Sequence, residues 1–282
     1  MESLSALLEA NCREYRDAAG RPIHCITSRD VGLVAKRSGF SRGEVEISAL
    51  ESNIWPLRLE RNRGTLGTRG QRALLRSRVA VLGLGGLGGL ASELLVRAGV
   101  GKLLLADPDV YEESNLNRQI HSSEENLGTS KLAASERRLR GVCSGVEIES
   151  VRPISDVPDG VAKLEGVDLA LDCLDTLSDR RILADVCSEA DIPMVHAAIA
   201  GFTGQLAVIR PGEGILNSLY EGAEENRGIE VETGNLGPTA ATLASLEVNE
   251  AIKILTGIGR PAYGCLVLID LSNGSFERVE LS

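Results

Sequence analysis

A glycine-rich segment is the first feature of the chain with the residue types and spacing for chemistry. Gly83, Gly85 and Gly88 are spaced as G-x-G-x-x-G, between an apolar run and a segment with helical periodicity. Gly86 adds a fourth glycine. Glycines at a strand-to-helix turn let backbone N–H groups approach phosphate oxygens. The spacing predicts a nucleotide site, although glycines that only allow a helix to pack on a strand give the same pattern.

Asp107 and two basic residues follow the glycine segment. Asp107 ends the next apolar run, at the separation of roughly 20 residues where a ribose-binding carboxylate is expected. That pattern alone is also typical of an NAD-dependent dehydrogenase, which stays an alternative. Arg118 and Lys131 come next, and either one alone is typical of a solvated surface. Two cations together suit a triphosphate whose leaving pyrophosphate gains charge, and hydride transfer has no such need.

A pair of carboxylates, Asp172 and Asp175, closes a third apolar run. Ligands of open parallel sheets bind at the carboxyl ends of the strands. A carboxylate there can hold Mg²⁺ on nucleotide phosphates, because hard cations prefer oxygen ligands. We therefore predict Asp175 as the magnesium ligand, with capping of the following helix as the alternative, and Asp172 as a structural residue.

The elements that must position these residues alternate between short apolar runs and amphipathic segments from Gly70 onward. This alternation predicts an α/β fold, a Rossmann-like, doubly wound, mostly parallel sheet with a C-terminal antiparallel extension and a small helical N-terminal region. We expect a helical appendage over residues 1–60 and the nucleotide-binding domain over 61–282. The predicted strands cover 78–82, 102–106, 146–151, 167–171, 194–197 and 205–209, the helices run to 99 and over 129–140, 177–190 and 238–255, and a hairpin covers 265–281.

Two segments are harder to interpret. Residues 28–50 fit a helix-turn-helix, for which packing or docking is favoured over DNA reading because such turns are common in small helical units. Residues 212–234 form an acidic stretch without clear periodicity, which we interpret as a mobile crossover.

Composition excludes several classes of protein. The 282 residues are 43% hydrophobic and carry a net charge of −10, which disfavours a surface that tracks nucleic-acid phosphates. The longest apolar runs fall well short of the roughly 20 residues of a membrane span. The six cysteines form no C-x-x-C pair, and no basic leader precedes an apolar segment. We expect a cytoplasmic protein with reduced thiols.

Taken together, the motifs from about Arg61 to Leu281 resemble those of the ThiF/MoeB/HesA family, the bacterial relatives of ubiquitin-activating enzymes. Several short motifs in the same order and spacing are more specific than any one of them. They are Arg61-Asn62-Arg63, Gly70-Gln71, the glycine segment, Ala98-Gly99-Val100-Gly101, Ser114-Asn115-Leu116-Asn117-Arg118-Gln119, Gly128-Thr129-Ser130-Lys131, Asp172-Cys173-Leu174-Asp175, Gly204-Gln205-Leu206 and Glu250-Ala251-Ile252-Lys253.

The resemblance implies ATP-dependent adenylylation of the C-terminal glycine of a small ubiquitin-like sulfur-carrier protein with a Gly-Gly end. Such a reaction serves sulfur transfer in molybdopterin, tungstopterin or thiamine biosynthesis. It implies ATP and Mg²⁺ as cofactors and a homodimer in which Arg63 reaches the partner's triphosphate. The remaining implied roles are nucleotide binding by Gly83, Gly85, Gly86, Gly88, Asp107, Asp109, Asn115 and Gln119, phosphate contacts by Arg118 and Lys131, and magnesium binding by Asp175.

The chain departs from the family pattern at three places. Typical members carry two C-x-x-C pairs for a structural zinc, whereas residues 215–220 and the end of this chain carry none, so we expect no zinc site. The crossover at 227–234 offers no cysteine, which disfavours a covalent enzyme–carrier intermediate. Thr176 replaces the usual Asn, and threonine still caps a helix.

Two further functions stay open at this point. His121 beside the predicted phosphate site is similar to an arrangement in related enzymes that dehydrate threonylcarbamoyladenosine in tRNA, although the acidic charge disfavours tRNA. A non-enzymatic, nucleotide-responsive module that recruits partners through residues 1–60 is the other alternative. Such a module has no need of Arg63, Arg118, Lys131 and Asp175 together.

Overall fold

The computed structural model describes residues 2–222 and 228–281. Its main sheet has eight strands in the order β11-β10-β9-β8-β7-β4-β5-β6. The five strands at the β6 end pair in parallel, and β8 to β11 pair antiparallel. The strands are β4 (Arg78–Leu82), β5 (Lys102–Ala106), β6 (Glu147–Val151), β7 (Leu169–Asp172), β8 (Met194–Ala200), β9 (Thr203–Ile209), β10 (Cys265–Asp270) and β11 (Ser275–Glu280).

Helices cover both faces of this sheet. Val79 and Val81 of β4 lie in one hydrophobic cluster and Ala80 and Leu82 in another, because successive side chains of a strand point to opposite faces. The first face packs against α4 (Arg63–Arg76), α5 (Gly88–Ala98), α6 (Lys131–Val142) and α11 (Gly237–Thr256). The second face packs against α7 (Val157–Lys163), α8 (Leu177–Glu189) and α9 (Ile215–Leu219).

The predicted α/β architecture is confirmed, including the antiparallel extension. The hairpin of β10 and β11 turns at Gly274, whose φ of 74° lies in the left-handed region that favours glycine. The missed elements are α4, α7, and α9 and α10 (Glu230–Thr233) within the predicted crossover. The sequence of α4 contains three glycines, which disfavour a helix, and the other three helices are short and offer little periodicity. The part of the crossover at 223–227 lies outside the described residues.

Among the described helices, none has the length and the apolar character of a membrane span.

The N-terminal region contains the predicted helices, but a description as purely helical is incomplete. The helices are α1 (Leu4–Asn11), α2 (Ser28–Ser38) and α3 (Arg42–Glu51), and a small sheet of β1 (Arg13–Arg16), β2 (Pro22–Ile26) and β3 (Trp55–Pro56) accompanies them. The strands were missed because they are short and β1 is mostly exposed, so it shows no apolar alternation. Ser41 begins α3 in a capping box with Glu44, which fixes the predicted turn between α2 and α3.

Candidate active site

A cavity of about 780 Å³ opens at the carboxyl ends of the parallel strands. The chain builds β5 and β6 on one side of β4 and then crosses to β7 on the other, so the cavity lies at the topological switch point. Its walls come from the turns after these strands, from β8 and from the crossover. One end is lined by the glycine segment, Asp107, Asp109 and Lys131, and the other by Leu174, Asp175, Ala198, Ile199, Tyr220 and Val231. We call these the nucleotide end and the acceptor end.

The four glycines of the nucleotide end have two different roles. A Cβ on Gly83 would lie 2.5 Å from the Cys173 carbonyl oxygen, and one on Gly88 would lie 1.8 Å from the Gly83 oxygen. These two glycines allow the close packing of β4, α5 and the turn after β7. Gly85 and Gly86 line the cavity instead, and a Cβ on Gly85 would meet only the Gln119 amide, at 3.6 Å. The Gly85 backbone is open to a ligand, whereas a Cβ on Gly86 would lie 3.3 Å from the Cβ of Ala240.

Asp107 ties the glycine segment to the end of β5. Its carboxylate oxygens accept hydrogen bonds from the backbone N–H groups of Leu84 (2.6 Å) and Asp109 (2.8 Å), and the residue is buried. A carboxylate has about four acceptor positions, so the two N–H bonds leave capacity for a ligand hydroxyl. The position fits the ribose-binding role.

Lys131 lies at the wall of the nucleotide end with its ammonium group paired to Asp109. The Nζ–Oδ2 distance is 2.8 Å, and the backbone N–H of Lys131 donates to the Asp109 carbonyl at 2.9 Å. The lysine side chain is 8% exposed, whereas the aspartate is 62% exposed. Asp109 therefore keeps the buried ammonium group of Lys131 in place beside the cavity. A phosphate of a ligand can replace Asp109 as the partner of this ammonium group.

Gln119 and Arg118 complete the nucleotide end. Gln119 is buried, and its Oε1 has no hydrogen-bond partner among the described residues. An unpaired buried acceptor is costly, so this oxygen fits a donor of a bound ligand. Arg118 donates through Nη1 to the carbonyl oxygen of Ser114 (3.0 Å) and to Oδ1 of Asn117 (2.9 Å). Both acceptors are neutral, and Arg118 lines the cavity.

Asp175 lies exposed at the acceptor end, next to the start of α8. The N-cap of α8 is Thr176, whose hydroxyl accepts the backbone N–H of Asp179 at 3.3 Å. Thr176 therefore occupies the N-cap position, and threonine caps the helix as expected. Asp175 lines the cavity, where it can meet a ligand.

Besides Gly88, two predicted residues do not line the cavity. Asn115 is buried, and its Oδ1 accepts the backbone N–H of Glu112 at 3.1 Å, which closes a tight turn. Arg63, at the start of α4, donates through Nη2 to Asp17 of the N-terminal region at 2.6 Å. Within one chain the structure does not bring either residue to the predicted site.

The polar residues beneath the acceptor end were not predicted as part of the site. His196 was interpreted as an ordinary packing histidine, but its Nδ1 lies 2.7 Å from Oδ2 of Asp172, and both side chains are fully buried. Arg180 lies 3.3 Å from the same carboxylate oxygen. Asp172 is structural, as predicted. The available signal was an aspartate and a histidine within two apolar strands, where only paired polar groups are tolerated.

His121, which supported the tRNA alternative, lies outside the cavity lining. It is buried behind α5, where its Nδ1 is 2.9 Å from the Ser135 hydroxyl and its Nε2 is 3.5 Å from Glu93. Burial lowers the pKa of His121. This neutral, enclosed ring packs the core and does not face the site.

Over residues 2–222 and 228–281, no group of three or more His, Cys, Asp or Glu side chains is arranged to hold a metal ion. Cys173 is the cysteine of the cavity wall, and burial raises its pKa well above the ordinary value. Its sulfur is a thiol within 3.8 Å of both carboxyl oxygens of Glu247.

Comparisons with known proteins agree with this geometry. The model of the ThiF family matches residues 59–282. The molybdopterin-synthase adenylyltransferase of Escherichia coli is 36% identical over 214 residues, which are 75% of this chain and 86% of that protein. The SAMP-activating enzyme E1 of Haloferax volcanii is 35% identical over 216 residues, 76% of this chain and 80% of that protein.

A solved structure extends the likeness of the fold to the N-terminal region. The biosynthetic enzyme MccB, in complex with N-formylated MccA, superposes with a TM-score of 0.66 at 20% identity. The match covers 100% of this chain and 83% of that one. On the family match and the identity to curated relatives, the chain belongs to the ThiF family.

Proposed function

We propose that this protein uses ATP to adenylylate the C-terminal glycine of a small ubiquitin-like sulfur-carrier protein. The observation that carries the proposal is the cavity, in which two cations and an unpaired amide oxygen lie beside an open glycine segment, next to a second end of small and apolar lining. The two curated relatives have names that describe adenylylation of molybdopterin synthase and activation of SAMP. Those names support the same reaction type.

The residues of the nucleotide end fit ATP. Gly85 and Gly86 leave room for phosphates at the N-terminus of α5, and Asp107 has acceptor capacity for the ribose. Gln119 offers its unpaired oxygen. A magnesium ion bound with ATP would neutralise phosphate charge, and Asp175 is the carboxylate that would hold it.

The chemistry needs positioning and charge stabilisation rather than a protein nucleophile. A carboxylate oxygen of the carrier forms a bond to the α-phosphorus, and the bond to the leaving pyrophosphate breaks. Arg118 and Lys131 stabilise the negative charge that grows on the pyrophosphate, and the cavity walls keep the reacting groups in line. The products are an acyl-adenylate and pyrophosphate, and Cys173 stays a buried thiol that takes no part.

The acceptor end fits a narrow peptide tail. Its lining includes Leu174, Ala198, Ile199 and Val231. An extended tail of glycines, which carries no side chains, can lie against these walls. We further propose a cytoplasmic homodimer in which Arg63 acts on the partner's triphosphate, and a protein without stoichiometric zinc.

The test is ATP–pyrophosphate exchange with a carrier protein that ends in Gly-Gly, compared with the same carrier lacking its last glycine and with tRNA. We expect exchange only with the intact carrier. Exchange that does not depend on the carrier, with AMP formed only when modified tRNA is added, would assign the protein to the tRNA-modifying relatives. Carriers of the molybdopterin and thiamine pathways in separate assays identify the pathway.

A further inference from the structure

A chain of buried polar groups connects the core of the sheet to the acceptor end of the cavity. Asp172 and His196 are fully buried at the ends of β7 and β8, 2.7 Å apart. Burial opposes the charged form of Asp172, but the Arg180 guanidinium and the His196 hydrogen bond together hold the pKa of the carboxyl below its ordinary value. Asp172 is therefore a carboxylate whose Oδ2 lies 2.7 Å from Nδ1 of His196, and Nη1 of Arg180 lies 2.9 Å from the same ring nitrogen.

The other nitrogen of the His196 ring contacts Tyr220. Burial lowers the pKa of His196, so the ring is neutral. Its Nε2 is 3.2 Å from the hydroxyl of Tyr220, within hydrogen-bond distance. The same hydroxyl oxygen accepts a hydrogen bond from Nε2 of Gln205 at 2.8 Å. The Tyr220 hydroxyl thus has two hydrogen-bond partners within the protein, which suits an anchor.

Tyr220 is held by its backbone as well as by its side chain. Its carbonyl oxygen accepts from Nη2 of Arg181 at 3.0 Å, and its ring packs edge-on against His196 with centroids 5.8 Å apart. Three elements, β8, β9 and α8, therefore fix this residue, which follows α9 directly. These contacts hold the N-terminal part of the crossover in place at Tyr220.

The C-terminal end of the crossover, at Gly234 and Asn235, is held by different contacts. Gly201 donates its backbone N–H to the Gly234 carbonyl at 2.8 Å, and Asn117 donates to the Asn235 carbonyl at 3.0 Å. Between Gly228 and Asn235 the chain carries Glu230 and Val231 into the cavity wall. Two anchors thus determine where the crossover contributes to the acceptor end.

We propose that Tyr220, held by the buried Asp172–His196 pair and by Gln205, is a positioning residue that sets the affinity for the carrier tail. The inference rests on the proposed function. A tail of glycines offers few side-chain contacts, so its affinity depends on walls that are already in place before binding. The nucleotide end is built from other elements, the turns after β4 and β5 and the start of α6. Loosening Tyr220 therefore affects the tail and leaves ATP binding intact.

The test is Tyr220→Phe, which removes the hydroxyl and keeps the ring. ATP–pyrophosphate exchange is measured with carrier varied at saturating ATP, and with ATP varied at saturating carrier. We expect the KM for the carrier to rise about tenfold, the effect of one lost hydrogen bond, with the KM for ATP and kcat within about twofold. Tyr263→Phe, the same change at a ring that stacks on Arg210 outside the cavity, leaves all three values unchanged.

A merely structural role gives a different result. A variant that lowers Tm and changes both KM values equally, or that changes neither, overturns the inference. Gln205→Leu removes the second bond to the hydroxyl, and combining it with Tyr220→Phe must give less than the sum of the two effects. Additive effects contradict a shared anchor. Absence of carrier-dependent exchange in the wild type overturns the proposed function, and this inference with it.

Discussion

The nucleotide end and the acceptor end of the cavity are built by different means. The nucleotide end consists of backbone groups and of side chains fixed by neighbouring backbone, such as Asp107 with its two N–H donors. The acceptor end depends on side chains from β7, β8, β9 and the segment after α9, joined in the Asp172–His196–Tyr220 chain. The first arrangement requires a fixed local spacing, and the second requires that distant strands pair in the correct register. Under the proposed function, nucleotide binding and recognition of the carrier therefore have separate structural origins.

Asp175→Asn has the largest expected effect. It tests the carboxylate that is proposed to hold magnesium on the ATP phosphates. Loss of this carboxylate lowers ATP–pyrophosphate exchange by about 100-fold or more, the usual cost of removing one stabiliser of transition-state charge. Circular dichroism and Tm stay at wild-type values, because the side chain is exposed and Thr176 caps α8.

The matched control is Asp185→Asn, on the exposed side of α8. It makes the same chemical change and keeps full activity. Arg118→Ala is the companion variant and shows a comparable loss of exchange. An Asp175→Asn protein that unfolds would make this residue structural and remove it from the reaction.

The nucleotide end was largely predictable from the sequence. Gly85, Asp107 and Lys131 lie in short motifs whose spacing is determined by one turn or one strand, and each lines the cavity. The strand and helix order followed from the alternation of apolar runs. The functional roles of these residues stay predictions, since geometry shows their position and not their activity.

The acceptor end was not predictable in the same way. Tyr220 reaches His196 only because β8 and β9 pair antiparallel and α9 packs on the second face of the sheet. Nothing in the local spacing of either residue indicates this contact. The role of Arg63 stays a prediction for a different reason: it needs a second chain, and within one chain Arg63 pairs with Asp17.

Substitutions at two glycines separate packing from ligand binding within the nucleotide end. Gly88→Ala places a Cβ 1.8 Å from the Gly83 oxygen and costs about 3 kcal/mol or more of folding stability. Gly85→Ala meets only the Gln119 amide and leaves Tm unchanged, but raises the KM for ATP about tenfold. Urea denaturation and pyrophosphate exchange measure the two effects. Equal loss of stability in both variants would contradict the division of roles.

Mixed dimers test whether Arg63 acts in the partner's site. Arg63→Ala and Asp175→Asn are each inactive alone under the proposed function. Random mixing of the two in equal amounts produces heterodimers with one intact site, which restores about a quarter of wild-type exchange. No recovery in a mixture shown to contain heterodimers places Arg63 and Asp175 in the same chain's site, or leaves Arg63 as a structural partner of Asp17.

The smallest expected effect is a change in the pH dependence of stability at Glu247, which lies beside Cys173 in the core below the acceptor end. Its carboxyl group is fully buried, and burial together with the Asp172 charge raises its pKa well above 4.5. Between 4.5 and the folded pKa the folded state therefore binds more protons than the unfolded state. The stability that protonation contributes is complete below 4.5 and is lost as the pH rises through this window.

Glu247→Gln removes that loss because glutamine does not titrate. Relative to wild type, the free energy of unfolding of the variant rises with pH above 4.5, by at most about 1.4 kcal/mol per pH unit. Urea denaturation of both proteins at pH 5 and pH 8 measures the change. A difference that is the same at both pH values means that Glu247 is ionised in the folded protein. The cluster beneath the acceptor end would then hold a second carboxylate beside Asp172, and Arg180 would have to balance both charges.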